Sequence, residues 1–180
     1  MKRFIVILCI LFSYSAQAQK VEEYEDKFYV QSTLLGIDAG RDFVVGKRFL
    51  VQTGIGLGAG YDATSSSLGI SFDSSKPIPY LRGGIDWYYN KNKRIEKNRT
   101  LANNSGNYVG VHAKYSFGDN DEFTNNFNSI LISEIHWGIK RTLGSVMYYK
   151  VQLGIDHYSD FDAKGTTVFP ALGLFIGATF

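Results

Sequence analysis

Three features of this 180-residue sequence predict an all-β fold, an antiparallel eight-stranded transmembrane β-barrel. Residues two apart repeatedly share one chemistry, so apolar and polar side chains fall on opposite faces of extended segments. Charged residues recur on the face that a soluble barrel would pack with apolar groups. The composition, with 12 Tyr, 13 Phe and 19 Gly against 3 Pro, favours strands and tight turns over helices. A soluble β-sandwich or lipocalin-like binding barrel would show the same period with its apolar face turned inward, and stands as the alternative architecture.

The first two segments, 28–37 and 39–45, are extended but ambiguous in facing, and a Gly46-Lys47 turn follows them. Over 49–61, Val51, Thr53, Ile55, Leu57, Ala59 and Tyr61 alternate with Gln52, Gly54, Gly56, Gly58 and Gly60. The glycines lie inside a strand rather than after one, so they make no phosphate cradle. Small residues there are expected to let opposite walls of a narrow barrel approach. Over 78–89, Leu81, Ile85, Trp87 and Tyr89 face out while Tyr80, Arg82, Gly84, Asp86 and Tyr88 face in. Over 108–117, Val109, Val111, Ala113, Tyr115 and Phe117 oppose His112 and Lys114, and an acidic loop follows over 119–129. Over 131–142, Leu131, Ile135, Trp137 and Ile139 oppose Glu134, His136, Gly138 and Lys140. A turn over 143–146 leads to 147–156, where Met147, Tyr149, Val151, Leu153 and Ile155 oppose Tyr148, Lys150, Gln152, Gly154 and Asp156. A polar loop over 157–167 precedes the last strand, 168–180, with Val168, Leu172, Leu174, Ile176, Ala178 and Phe180 on one face. Eight strands close a sheet without edges and return both termini to the same side.

Residues 1–18 are expected to be a signal peptide. Lys2 and Arg3 precede an apolar run over 4–12, too short to span a membrane, and Ala16-Gln17-Ala18 supplies small residues for cleavage before Gln19. The mature domain is then 19–180. Cys9 leaves with the signal, which excludes disulfides, thiolate metal sites and cysteine nucleophiles. The 19 basic residues fall to 17 without Lys2 and Arg3, matching the 17 acidic ones. That balance argues against nucleic acid as a partner. A mean hydropathy of -0.11 is too polar for a helical membrane protein but suits a barrel, where every second residue faces lipid.

The closing strand with its final Phe180 resembles the sorting signal of outer-membrane barrels. Tyr88-Tyr89-Asn90, the basic stretch 91–99 and Asn103-Asn104-Ser105-Gly106-Asn107-Tyr108 resemble a family of small eight-stranded outer-membrane β-barrel proteins of Gram-negative bacteria, largely of unassigned activity. Trp137-Gly138-Ile139-Lys140-Arg141 with Gly144, and Gly154-Ile155, are similar to that family's sixth and seventh strands. The resemblance implies fold and outer-membrane location, and carries no catalytic residues.

Glu134, His136 and His112 have the chemistry of a metal or acid–base site. With Arg82, Asp86, Lys114, Lys140, Lys150 and Asp156 also inward, an ion-pair network filling the lumen is the preferred expectation, with no metal and no cofactor. His157-Tyr158-Ser159 is similar to the His-x-Ser motif of lipid A deacylase barrels, in which imidazole activates the serine. Those enzymes continue with Asn-Ala and place a Glu on the last strand. Here Asp160-Phe161 follows and no Asp or Glu occurs over 165–180. The basic run of Lys91, Lys93, Arg94, Lys97 and Arg99, broken only by Glu96, falls in a long turn on the side of the termini. Asp119, Asp121, Glu122, Asp160 and Asp162 make the opposite loops acidic, with no real calcium motif.

The expected function is non-enzymatic: a monomeric barrel with a structural or surface-interaction role. Its expected partners are outer-membrane lipids and lipopolysaccharide, and the barrel-assembly machinery through the strand ending at Phe180. Phe123, Phe127, Tyr158 and Phe161 are the expected contact residues of the outer loops. The enzymatic alternative rests on His157 and Ser159.

Overall fold

A computed structural model of the chain describes residues 23–63, 68–71, 77–118, 127–162 and 164–180. The expected signal peptide with Cys9, the acids Asp119, Asp121 and Glu122, and Phe123 lie outside the described residues. Eight strands close an antiparallel barrel: β1 (Lys27–Thr33), β2 (Gly36–Val45), β3 (Phe49–Gly58), β6 (Ile78–Trp87), β7 (Gly106–Ser116), β8 (Ile130–Leu143), β9 (Met147–Asp160) and β10 (Thr166–Thr179). They pair in that order around the wall, and β10 returns to β1. At that seam Tyr29 lies opposite Thr179, and Phe28 and Phe180 exchange backbone hydrogen bonds of 3.2 and 2.9 Å. β4 (Gly60–Ala63) and β5 (Leu68–Ser71) form a separate hairpin on the rim away from the termini.

The eight-strand count agrees with the sequence reading, but several boundaries differ. The first hairpin turns at Leu34-Leu35 rather than near Asp38, because the Thr33 hydroxyl accepts a hydrogen bond from Leu35 N–H (3.1 Å) and donates to the Gly36 carbonyl (3.2 Å). That hydroxyl closes a turn whose two central residues are apolar, with Gly36 directly after them, where Asn, Asp or Gly would ordinarily stand at the centre. The expected strand 49–61 breaks after Gly58, so Tyr61 belongs to the rim hairpin. β9 continues to Asp160, so His157, Tyr158 and Ser159 are strand residues rather than loop residues. The Asn103-Asn104-Ser105 stretch precedes its strand. Asn103 and Asn104 take left-handed φ of 53° and 55° in a short 3-10 turn (Ala102–Asn104), a conformation asparagine tolerates better than most residues.

The lumen is built from aromatic rings lying across glycines of adjoining strands. Gly138 is paired with Tyr108, and a Cβ added at Gly138 would lie 2.3 Å from the phenol ring. A Cβ at Gly84 would lie 2.0 Å from the imidazole of its partner His112. Tyr29 reaches over Gly40 to Gly54, and Tyr80 covers Gly56. These glycines therefore seat rings from neighbouring strands; they do not bring opposite walls together. The reason is curvature. In a closed sheet of eight strands, inward side chains converge, and a ring has room only where its neighbour has no side chain.

The end that carries the termini is closed. Helix α1 (Lys91–Glu96) and the 3-10 turn lie in the β6–β7 connection, where Tyr24, Leu50, Tyr88, Leu101 and Tyr108 form a buried cluster against Val44 and Ile95. Asn103 donates from Nδ2 to Thr142 Oγ1 (2.8 Å) and accepts from Thr179 Oγ1 (2.7 Å), tying the turn to β8 and β10. Asn104 exchanges hydrogen bonds of 3.0 Å with the backbone of Glu25. What reads in sequence as a long basic turn is thus a plug.

Gly138→Ala is expected to lower stability to chemical denaturation in micelles by about 1–3 kcal/mol, the usual cost of overpacking. Gly83→Ala, whose added carbon would meet nothing nearer than 3.7 Å, is the matched control and should unfold like the parent chain.

Candidate functional site

The inward faces of the strands carry the chemistry. Nearest the plug, Asp42 accepts from Gln52 Nε2 (2.8 Å), Asn104 Nδ2 (3.2 Å) and Lys140 Nζ (2.9 Å). Lys140 and Asp42 are 1% and 0% exposed, and the ammonium also lies 4.4 Å from the centre of the Tyr148 ring. Three donors around one carboxylate are what a buried charge needs to be tolerated.

In the middle, His112, His136, Glu134 and Asp86 come together. His112 Nε2 lies 2.9 Å from Asp86 Oδ1, and His136 Nε2 lies 3.6 Å from the same oxygen. The two imidazoles meet edge to face with centroids 4.5 Å apart. Arg82 Nη2 is 3.3 Å from His112 Nδ1, and since guanidinium only donates, Nδ1 accepts and Nε2–H donates to Asp86. The Gln152 amide nitrogen lies 2.8 Å from His136 Nε2, which assigns the proton to Nδ1. That nitrogen faces Glu134 Oε1 at 2.9 Å, outside hydrogen-bond geometry. Asp86, His112 and His136 each offer a ligand atom, all within 4.8 Å of one another, and such a set could hold one divalent cation. As they stand, His112 Nε2–H serves Asp86, while the lone pair of His136 Nε2 takes the Gln152 amide.

Arg82 also pairs with Asp38 (3.2 Å), which accepts from Gln31 (2.9 Å) and Tyr80 (3.1 Å). Lys150, 1% exposed, departs from the expected network. Among the described residues no carboxylate lies within ion-pair distance of it, and its ammonium rests 4.3 Å from the centre of the Phe175 ring. Asp38, Asp42, Gln31 and Gln52 are among the lumen residues that the sequence reading did not assign to the network. The spacing of Asp38, Gly40 and Asp42 carries the same period of two as the later strands, but the misplaced first turn hid which face they share.

Toward the other rim the lumen opens into a cavity of about 440 Å³. Arg82, His112, Lys114, Glu134 and Asp156 form its polar floor, and Tyr61, Tyr158 and Phe169 are among its aromatic walls. Lys114 donates to the Tyr61 hydroxyl (2.8 Å) and lies 4.1 Å from the Tyr80 ring centre. The interior is thus not filled along its whole length. Tyr158 is buried here against Tyr61, so it is not an outer-loop contact residue. Asp160 is buried as well, accepting from Asn128 (2.7 Å), and is not a surface acid. Asp162 accepts from the Ser129 backbone at 2.7 Å.

Comparison with family models, with curated proteins and with solved structures finds no match. The residues must therefore be judged on their own geometry. His157 and Ser159 do meet on the outer face of β9, with Oγ 3.4 Å from Nδ1. Their cross-strand neighbours are Ser133 and Val168 for His157, and Leu131 and Thr166 for Ser159. Among the described residues no carboxylate lies within 4 Å of His157, so nothing there orients the ring as a triad would require.

Asp42→Ala is expected to cost about 3–5 kcal/mol in micelles, because it strands the Lys140 ammonium and removes an anchor of the plug. Lys140→Met with Asp42→Asn should recover most of that loss in a double-mutant comparison.

Proposed function

We propose that this protein is a non-enzymatic outer-membrane β-barrel with a structural or surface-interaction role. The observation that carries the reading is the outward face of the sheet. Ile55, Ile135, Ile155, Leu172 and Ile176 are each between 58% and 64% exposed, while Gln52, Asp86, His136, Lys140 and Gln152 are buried inside. A soluble barrel needs the reverse, and an apolar band of this extent calls for a lipid-like surround. Trp87, Tyr89, Trp137 and Tyr149 gather on the outer wall near the plugged end, as aromatics do at a membrane interface. The plug makes a conducting pore a poor reading, and leaves the opposite rim, with Phe161 53% exposed, for contact with other molecules.

Expression in a Gram-negative host is expected to put the protein in the outer-membrane fraction, with heat-modifiable gel migration and no single-channel conductance in planar bilayers. Recovery as a soluble protein without detergent would overturn the reading.

The 3.4 Å approach of Ser159 to His157 favours one second reading, a lipid A deacylase-like hydrolase. Mass spectrometry of lipid A from expressing cells decides between the two. The first reading expects an unchanged acyl pattern, whereas loss of an acyl chain that Ser159→Ala abolishes would establish the second.

A further inference from the structure

Beside the plug, on the outside of the barrel, lies a recess of about 340 Å³ whose lining includes Lys93, Arg94, Lys97, Arg99, Arg141 and Asn107. Five cations share it, and among the described residues no carboxylate lies within ion-pair distance of any of them. Glu96, the one acid of α1, does not line it. Like charges this close repel one another, so their clustering without a counter-ion points to an anion from outside.

The recess is built rather than incidental. Arg141 is held from behind: Nη1 donates to the carbonyls of Gly106 (2.9 Å) and Lys140 (2.8 Å), and Nη2 donates to Asn107 Oδ1. Asn90 Oδ1 accepts from the Asn107 backbone N–H at 2.8 Å and joins the helix start to β7. Arg94 is 6% exposed; one Nη2 hydrogen goes to the Thr100 carbonyl (2.6 Å), but among the described residues its buried Nε has no acceptor. Burial, then the charge of Arg141 and, less strongly, that of Arg99, pull the Arg94 pKa below the ordinary guanidinium value. An anion would relieve that repulsion.

The surroundings specify which anion. Arg141 and Asn107 point outward because their strand neighbours Lys140 and Tyr108 are buried in the lumen. One step along the same wall stand Ile139 and Val109, with Trp137 and Trp87 paired to Val109 on either side. Trp137 Nε1 donates to the Tyr89 hydroxyl at 2.8 Å, and Tyr89 lines the recess. A cationic pocket opening onto an apolar, aromatic-edged wall fits a ligand with an anionic head and hydrocarbon tails.

We propose that this recess binds the phosphodiester headgroup of an anionic phospholipid in the leaflet on the side of the termini. The inference rests on the membrane reading above. Guanidinium groups suit phosphate oxygens, and basic clusters beside a membrane select anionic lipid.

The test is native mass spectrometry of the full-length protein from nonionic micelles containing equal phosphatidylglycerol and phosphatidylcholine, with heat-modifiable migration checked on the same samples. The wild type is expected to retain phosphatidylglycerol at least about ten-fold over phosphatidylcholine, and Lys93→Gln/Lys97→Gln/Arg99→Gln, all on exposed positions, to lose that preference while migrating as a folded barrel. A heat-modifiable wild type that retains both lipids equally, or a triple variant with undiminished preference, overturns the headgroup site alone. Failure of the wild type to form a heat-modifiable barrel overturns the membrane reading and the site with it. Displacement of the lipid by millimolar inorganic phosphate, with equal thermal stabilisation by phosphate alone, would show a free-phosphate site and overturn the lipid assignment.

Discussion

Closing eight antiparallel strands leaves an interior in which every inward side chain competes with its neighbours for room, and much of this molecule follows from that competition. Tyr29, Tyr80, Tyr108, His112 and His136 occupy the lumen because glycines on adjoining strands lie beneath them. Once the rings are seated, the polar groups between them have few partners other than one another. Asp42 gathers three donors, Asp38 gathers Gln31, Tyr80 and Arg82, and Asp86 lies against two imidazoles. Lys150 takes the aromatic face of Phe175. Packing and electrostatics are here one problem, since a change in ring position would break several hydrogen bonds together.

The two ends of the barrel differ for a related reason. At the end of the termini the β6–β7 connection is long enough to fold back, and its Tyr88 and Leu101 bury against Tyr24, Leu50 and Tyr108. Asn104 then touches Asp42, so the plug and the lumen network share a hydrogen bond. Toward the other rim the interior stays open as a cavity with acids and bases on its floor. The outer wall at the plugged end carries aromatic side chains and clustered cations side by side, a combination that suits contact with lipid and its phosphates. The proposed membrane setting and the proposed headgroup site therefore draw on the same stretch of wall, while the His157–Ser159 contact stands apart from it on β9.

Most of the fold was legible from the period of two. Strands β6 to β9 could be placed with their facing because charged residues such as Arg82, Asp86, Lys140 and Lys150 mark one side without ambiguity, and β3 because Gln52 and the glycines share one side. β1 and β2 could not, since the turn between them is made by a threonine hydroxyl and has two leucines at its centre. That error of a few residues concealed Asp38 and Asp42, the hubs of the network. Tyr158 and Asp160 were misassigned because a polar sequence looks like a loop, whereas β9 simply continues and turns them inward.

The sequence by itself determined the strand number, the inward set on five of the strands, and the pairing of an apolar with a charged face, because strand periodicity is a local property of the chain. Only the tertiary structure decided the rings that lie over particular glycines, the folding of the basic turn into a plug, and the convergence of Lys93, Arg94, Lys97, Arg99 and Arg141 on one recess. Each of these joins residues from strands or turns distant in the chain. Their proximity is set by closure of the sheet, which no local pattern records.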